Sequence, residues 1–173
     1  MRLIQCEFKR HAQSILAIFN DAIASSTVLY EYKPRTMDMM AGWFEAKLKG
    51  TFPVIGVESE AGEFMGFASY GTFRPFPGYK YTVEHSVYVD TRFRGRGLGK
   101  FLLKEIIAAA QGQNYHNLVG VIDSSNILSI RLHEAFGFTC CGTIRQAGFK
   151  FGLWLDVLFY QLTLPTPSYP VDG

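Results

Sequence analysis

Cysteine is scarce in this chain, and the little there is cannot cross-link it. Cys6 stands alone, and Cys140 and Cys141 are neighbours whose side chains would point to opposite faces of a strand, so no disulfide framework is expected. The cysteine pair also lacks a second Cys or His pair at metal-ligand spacing, so no metal site is expected. Neither sign of charge dominates: 17 Lys and Arg against 15 Asp and Glu leave a formal charge of +2. A balance that close excludes a strong global field for nucleic acid or membrane, and any anion site must be local. No apolar run approaches the ~20 residues needed to span a bilayer. The opening MRLIQCEFKRH mixes charges into its first positions and has no apolar core before a small-residue cleavage site, so no signal peptide is expected. Repeats and low-complexity blocks are missing, apart from the closing PTPSYPVDG. Together these absences predict a protein of the reducing cytoplasm, with no membrane and no nucleic acid as partner.

What the chain does have is apolar residues, 48% of 173. That supports one packed domain over residues 1–164, followed by a mobile Pro-containing tail over 165–173. Ile15, Leu16, Ile18, Phe19, Ala22 and Ile23 recur at helical spacing and predict a helix from Ala12 to Ala24. A second helix is predicted from Met37 to Leu48. VIGVE after Pro53 and FMGFASYGTF read as a hairpin around Gly62, and TVEHSVYV as a third strand ending at Asp90. Between them FRPFPGYK, with two prolines and a glycine, predicts a surface loop. Helical periodicity returns after Gly97 and continues to Ala110. LVGVI is a short buried strand, and a helix follows from Asn126 to about Ala135 with Gly137 as its stop. TCCGTIRQ and WLDVLFYQLTL complete the pattern as strands separated by a turn at Gly148. The order β, α, α, β, β, β, α, β, α, β, β predicts an α/β fold, a mixed, mostly antiparallel central sheet flanked by helices.

One segment carries chemistry. RFRGRGLGK lies between a strand and an apolar helix, where several backbone N–H groups can converge on one anion and glycines leave room for it. A dinucleotide fingerprint would need glycine where Lys100 stands, and a P-loop would need Ser or Thr where Phe101 stands, so both are excluded. The remaining spacing, Arg94-x-x-Gly97-x-Gly99, resembles the pyrophosphate-binding motif of the GNAT acetyltransferases, and the order of elements from Leu3 to about Leu164 is similar to theirs. Within that family TVEHSVYV, NxxSxxLHxxxGF and KFGxWLDVLFYQ look most like the phosphinothricin and methionine sulfoximine N-acetyltransferases. The resemblance implies the GNAT acyl-CoA N-acyltransferase fold and acetyl-CoA as acetyl donor. It implies cofactor contacts from Val87, Tyr88 and Val89, from Arg94, Gly95, Arg96, Gly97, Leu98, Gly99 and Lys100, and from Asn126 and Ser129. Asn126 is equally a favoured helix N-cap, and the two roles are compatible.

The implied reaction is acetyl transfer to the α-amino group of a small amino-acid-like acceptor such as phosphinothricin, methionine sulfoximine or methionine sulfone. An α-amino group with pKa ~7.7 to 8.0 must lose a proton before it can attack, which calls for a base. By resemblance the base is Glu84, whose ordinary pKa of ~4.3 favours a relay through water. Many family members place a Tyr near position 133 to protonate the departing thiolate; here His133 stands there as candidate acid. Substrate contacts are expected from Tyr30, Glu31, Arg74, Pro75, Phe76, Glu84, His85 and Ser86. Arg74 suits a carboxylate clamp because guanidinium offers two parallel donors. His85 alternates with Glu84 and should face the other side of the strand. Phe76, Tyr79 and Tyr81 either wall the pocket or fill core. Competing readings are an acetyltransferase for a protein N-terminus or polyamine, and a non-catalytic acyl-CoA-binding module. The apolar, aromatic C-terminal strand suggests a homodimer.

Overall fold

Seven strands and four helices follow the order expected from the sequence, in a computed structural model that describes residues 1–172. Helix α1 (Phe8–Ser25) buries Ala12, Ile15, Leu16, Ile18, Phe19, Ala22 and Ile23 along one side. It begins four residues before Ala12, where Lys9 and Arg10 mask the apolar period. In place of a side-chain cap from Glu7, the Glu7 N–H donates to His11 Nδ1 at 2.8 Å. Helix α2 (Met37–Lys49) is capped by the Thr36 side chain, which accepts the Met39 N–H. Asp38 in its first turn and Lys47 and Lys49 in its last complement the helix dipole.

The strands β1 (Arg2–Gln5), β2 (Val54–Glu58), β3 (Phe64–Thr72), β4 (Thr82–Val89), β5 (Asn117–Asp123), β6 (Thr139–Lys150) and β7 (Leu153–Thr163) form one sheet in the order β1-β2-β3-β4-β5-β7-β6. Pairing is antiparallel for β1 with β2, β2 with β3, β5 with β7 and β6 with β7, and parallel for β4 with β5. The sheet is therefore mixed and mostly antiparallel, as the sequence predicted. Helix α3 (Leu98–Gly112) lies in the crossover that parallel pairing of β4 and β5 requires, and α4 (Ile127–Ala135) follows β5.

Gly148 was expected to turn the last hairpin, and it does not. Strand β6 runs through it to Lys150, and the chain reverses at Phe151 and Gly152, with φ of 52° and 77°. Two consecutive positive φ values suit the twist of a two-residue hairpin. Gly148 instead pairs with Leu155 beside a register shift between Ile144 and Gly148.

Residues gather in two compact units, one of Met1–Gly71 with Ser86–Ile106, the other of Thr72–His85 with the chain from Ile107 onward. The first unit is centred on aromatic rings: Phe19 meets Phe67 at 5.2 Å and Tyr88 at 5.0 Å in edge contacts, with Ile15, Met40 and Val54 in the same core. In the second, Val83, Leu118 and Ile122 are buried, and the expected tail is tied down rather than trailing. Thr166 donates its hydroxyl to Tyr115 O at 2.6 Å, and the Val171 N–H donates to the Tyr81 hydroxyl at 3.1 Å.

Two glycines of the first unit make opposite predictions. A Cβ on Gly66 would lie 2.6 Å from Tyr88 O and 3.1 Å from Val89 Cα, so Gly66→Ala must move backbone and should cost about 1–3 kcal/mol. Gly42, inside α2, has nothing within 4 Å of such a Cβ, so Gly42→Ala should gain about 0.5–1 kcal/mol. Urea unfolding of the two variants beside the parent checks both signs.

Candidate active site

The glycine loop takes its shape from Asp90. Its carboxylate accepts the Arg92 N–H at 2.9 Å and pairs with the Arg92 guanidinium at 2.8 Å, which tightens Thr91–Phe93 into a single 3-10 turn. That guanidinium hydrogen bond holds the Asp90 carboxyl below the ordinary carboxylate range. Phe93 is buried and anchors the loop, with the guanidinium groups of Arg92 and Arg96 resting 5.0 and 5.2 Å from its ring centre. Gly95 and Gly97 follow with φ of 75° and 77° and open space where a Cβ would be. A side chain at either position would force a left-handed backbone that only glycine adopts freely.

Helix α3 then begins at Leu98, and the Phe101 N–H donates to Gly97 O at 3.0 Å. The amides of Leu98, Gly99 and Lys100 therefore precede the helical ladder, at the positive end of the helix dipole. Leu98, Leu102, Leu103 and Ile106 bury the opposite side of the helix and fix its direction. Arg94 is exposed and donates through Nε to Val89 O at 3.4 Å. Local positive charge, free backbone donors and an absence of side chains thus coincide at one helix start, the combination that binds phosphate.

In the second unit, alternation along β4 divides the chemistry between two sides. Val83 and His85 are buried, whereas Thr82 and Glu84 are partly exposed on the other side. Thr82 lines a cavity of about 410 Å³ together with Phe73, Tyr79, Asn117, Val119, Cys141, Gly142, Thr143, Ile144, Phe159 and Gln161. None of these side chains carries a formal charge. Glu84, two residues beyond Thr82 and paired in register with Val119, projects on the same side of the sheet as the cavity. Arg74 stands beside the lining residue Phe73, its guanidinium 4.4 Å from the ring centre and donating to Phe73 O at 2.9 Å. Pro75 and Phe76 are exposed in the same loop, and Tyr79 packs edge-on to Phe73 at 5.7 Å.

The other side of β4 holds two histidines. His85 Nδ1 lies 2.8 Å from Val119 O, and its Nε2 lies 2.9 Å from His133 Nε2. His133 Nδ1 in turn lies 2.7 Å from Ser129 O, one helical turn earlier on α4. Phe138 closes over both rings at 5.2 and 5.0 Å. Burial, reinforced by the charge His133 would carry, pushes His85 down to about 3; burial also lowers His133. His85, expected among substrate contacts, thus turns away from the cavity as strict alternation requires. Asn126 caps α4, its side-chain oxygen accepting the Ser129 N–H at 3.1 Å.

Other expected residues fall in the first unit. Glu31 is paired with Arg35, which donates from Nε to both carboxylate oxygens at 3.1 and 3.0 Å. Arg35 also stands 3.9 Å from the centre of the Phe19 ring. Tyr30 precedes it in the link between α1 and α2. Ser86, Val87, Tyr88 and Val89 complete β4 beyond His85, where its register with β5 ends at Gly120. The lining residues Thr82, Asn117, Val119, Phe159 and Gln161 escaped sequence reasoning. The period-two spacing of Asn117 and Val119 on β5 and of Phe159 and Gln161 on β7 was the available signal.

Residues 15–138 match the sequence profile of the acetyltransferase (GNAT) family. The chain belongs to that family. It is 45% identical over 157 residues to an L-methionine sulfoximine/L-methionine sulfone acetyltransferase of Pseudomonas paraeruginosa, covering 90% of this chain and 91% of that one. An N-acetyltransferase structure from Staphylococcus aureus superposes with a TM-score of 0.91 at 43% identity, over 94% of this chain and 97% of that one. A phosphinothricin acetyltransferase of Sinorhizobium meliloti, solved in complex with acetyl-CoA, superposes with a TM-score of 0.94 at 30% identity, over 99% and 94%. The protein is accordingly an acetyl-CoA-dependent N-acetyltransferase of the phosphinothricin and methionine sulfoximine branch. Among the described residues no group of three or more His, Cys, Asp or Glu is placed to hold a metal, and no helix is long and apolar enough to cross a membrane.

Proposed function

We propose that this enzyme acetylates the α-amino group of a small amino-acid-like acceptor of the methionine sulfoximine, methionine sulfone or phosphinothricin type. The observation that carries the reading is the uncharged cavity of about 410 Å³ bordered by Thr82, with Glu84 projecting on the same side of the strand. Its volume fits a compact side chain, and its amide and hydroxyl groups, from Asn117, Gln161, Thr82 and Thr143, can hydrogen-bond the oxygens of a sulfone, sulfoximine or phosphinate. The curated relatives named for such acceptors support the same class.

In this mechanism the amine attacks the thioester carbonyl of acetyl-CoA directly. Glu84 receives the ammonium proton through an ordered water, since a carboxylate with an ordinary pKa of ~4.3 is a weak direct base. The new C–N bond forms a tetrahedral intermediate whose oxyanion is met by main-chain N–H groups of Val87–Val89, which also pair with the pantetheine arm. Collapse breaks the C–S bond and releases coenzyme A thiolate, which at a thiol pKa of ~8.5 leaves without needing an acid, while the second proton lost from the attacking nitrogen passes to water. His133, the candidate acid, has Nδ1 against Ser129 O and Nε2 against His85, and therefore serves better as a support. Arg94–Lys100 hold the pyrophosphate, with Asn126 and Ser129 near the arm of the cofactor, and Arg74 clamps the acceptor carboxylate. The free cysteines fit a reducing cytoplasm.

A thiol-release assay over amino acids and their analogues tests the reaction. Glu84→Gln should lower kcat about 10²- to 10⁴-fold at neutral pH, with activity recovering as rising pH frees the amine, and should leave acetyl-CoA affinity unchanged. Gly97→Ala should do the reverse, weakening acetyl-CoA about tenfold through left-handed strain of about 1–2 kcal/mol. A Glu84→Gln variant with full activity at pH 7 would remove the base assignment. Arg74→Ala should raise KM about tenfold for amino-acid acceptors and leave KM for a carboxylate-free amine unaltered. Equal effects on both acceptor types would rule out the clamp.

We also propose a homodimer that uses the β6–β7 hairpin, where Ile144, Phe149, Phe151, Leu153 and Trp154 expose apolar side chains. Sedimentation should give twice the monomer mass, and Trp154→Lys should shift it toward monomer. A monomeric parent protein at micromolar concentration would end this reading.

A further inference from the structure

The three contacts of the histidine pair need more protons than two neutral rings possess. Val119 O and Ser129 O are carbonyl oxygens and can only accept, so each demands a hydrogen on the Nδ1 that faces it, at 2.8 and 2.7 Å. A neutral imidazole has a single N–H, and with both spent on Nδ1 the two Nε2 lone pairs would confront each other at 2.9 Å. Changing the tautomer of either ring moves the conflict and does not remove it, because a bare Nδ1 would then face a carbonyl. The Ser129 hydroxyl, 3.4 Å from His133 Nδ1, leaves the shorter carbonyl contact unanswered. Three protons on four nitrogens satisfy every contact.

We propose that His85 and His133 share one proton between their Nε2 atoms, forming a singly charged clamp that positions the strand bearing Glu84 against helix α4. The charge is buried, which is costly alone, but two charge-assisted bonds to carbonyls and the shared proton offset that cost. Gly120 makes the approach possible: a Cβ there would lie 3.0 Å from His85 Cε1 and 3.2 Å from His133 Nε2. Other ionisable groups on the surrounding elements are engaged elsewhere or face away. On β4, Glu84 projects to the opposite side. On β5, the Asp123 carboxylate accepts the Ser125 N–H at 2.8 Å. On α4, Arg131 is exposed and Glu134 accepts the hydroxyl of Tyr160, a β7 residue, at 3.1 Å. Burial opposes charge on both rings, whereas the carbonyl contacts from Val119 and Ser129 favour it, so those contacts and the shared proton must together outweigh burial.

The sign of the resulting pH dependence is distinctive. Unfolded, both histidines titrate near ~6.5, so above that value the unfolded chain holds neither proton while the folded pair holds one. The unfolding constant should therefore rise by up to about tenfold per pH unit between ~6.5 and ~8, below the range where thiols contribute. Below ~6.5 the unfolded chain binds two protons and the folded pair one, so stability declines there as well and peaks between the two limbs.

The catalytic meaning of the clamp rests on Glu84 as base, whereas the proton count does not, and nitrogen-15 NMR of histidine-labelled enzyme at pH 7 reads the count without turnover. Two protonated Nδ1 signals and a scalar coupling between the Nε2 nuclei are expected. One bare Nδ1, or two uncoupled neutral rings, would overturn the proposal. His133→Gln should abolish the coupling and the alkaline limb of stability, since an amide can meet His85 Nε2 without an added proton. An unchanged alkaline limb in that variant would count equally against it, and if the variant does not fold, the parent spectrum decides alone.

Discussion

A short parallel ladder, Thr82–His85 against Asn117–Gly120, sets the chemistry of the second unit. Side chains of a strand alternate, so a slip of one residue in this register would exchange Glu84 with His85, sending the carboxylate into the core and an imidazole toward the cavity. Parallel pairing is slightly weaker per residue than antiparallel and needs a crossover, so four pairs alone would fix the register poorly. Packing supplies the remainder. Val83 and Leu118 are almost wholly buried on the side away from the cavity, and the two histidines tie the same strand to α4. Antiparallel β7 then holds β5 along its whole length, from Asn117 with Thr163 to Asp123 with Val157. The cavity walls on β5 and β7 inherit their positions from that longer ladder.

The two units rely on different physics. In the first, dispersion and ring geometry dominate: Phe19 alone meets Phe67, Tyr88 and Trp43, and the Arg35 guanidinium stands over its ring. In the second, buried polar groups are matched one by one, through imidazole to carbonyl and phenol to carboxylate. Matched polar interiors are less tolerant of substitution, because removing one partner strands the other. The glycine loop follows yet another rule, in which what matters is backbone shape and the missing Cβ atoms at Gly95 and Gly97.

Much of this was legible in the sequence. Helical spacing located α1 through its buried side, RFRGRGLGK stood between a strand and an apolar helix as the structure has it, and alternation alone put His85 opposite Glu84. Errors occurred where local signals compete. Gly148 looked like a turn, but a glycine in a strand also marks a register shift, and the true reversal used Phe151, a residue with no turn preference. Asn126, by contrast, caps α4 through the Ser129 N–H, as its preference for helix starts implied. The histidine pair was not legible at all, since residues 85 and 133 share no local pattern and meet only through the pairing of β4, β5 and the start of α4. Cavity walls were similarly hidden, being assembled from single residues of several strands.

Strand β6 lies at the edge of the sheet and is twelve residues long, a length that would ordinarily invite a foreign strand to add alongside. Its register shifts between Cys140 and Gly142 and again between Ile144 and Gly148, where Gln146 adopts a φ of 52°. Each irregularity twists the outward row of amides and carbonyls out of line. An incoming chain would find only short straight stretches to pair with, so the kinks that disturb the hairpin also guard it against fibrillar growth.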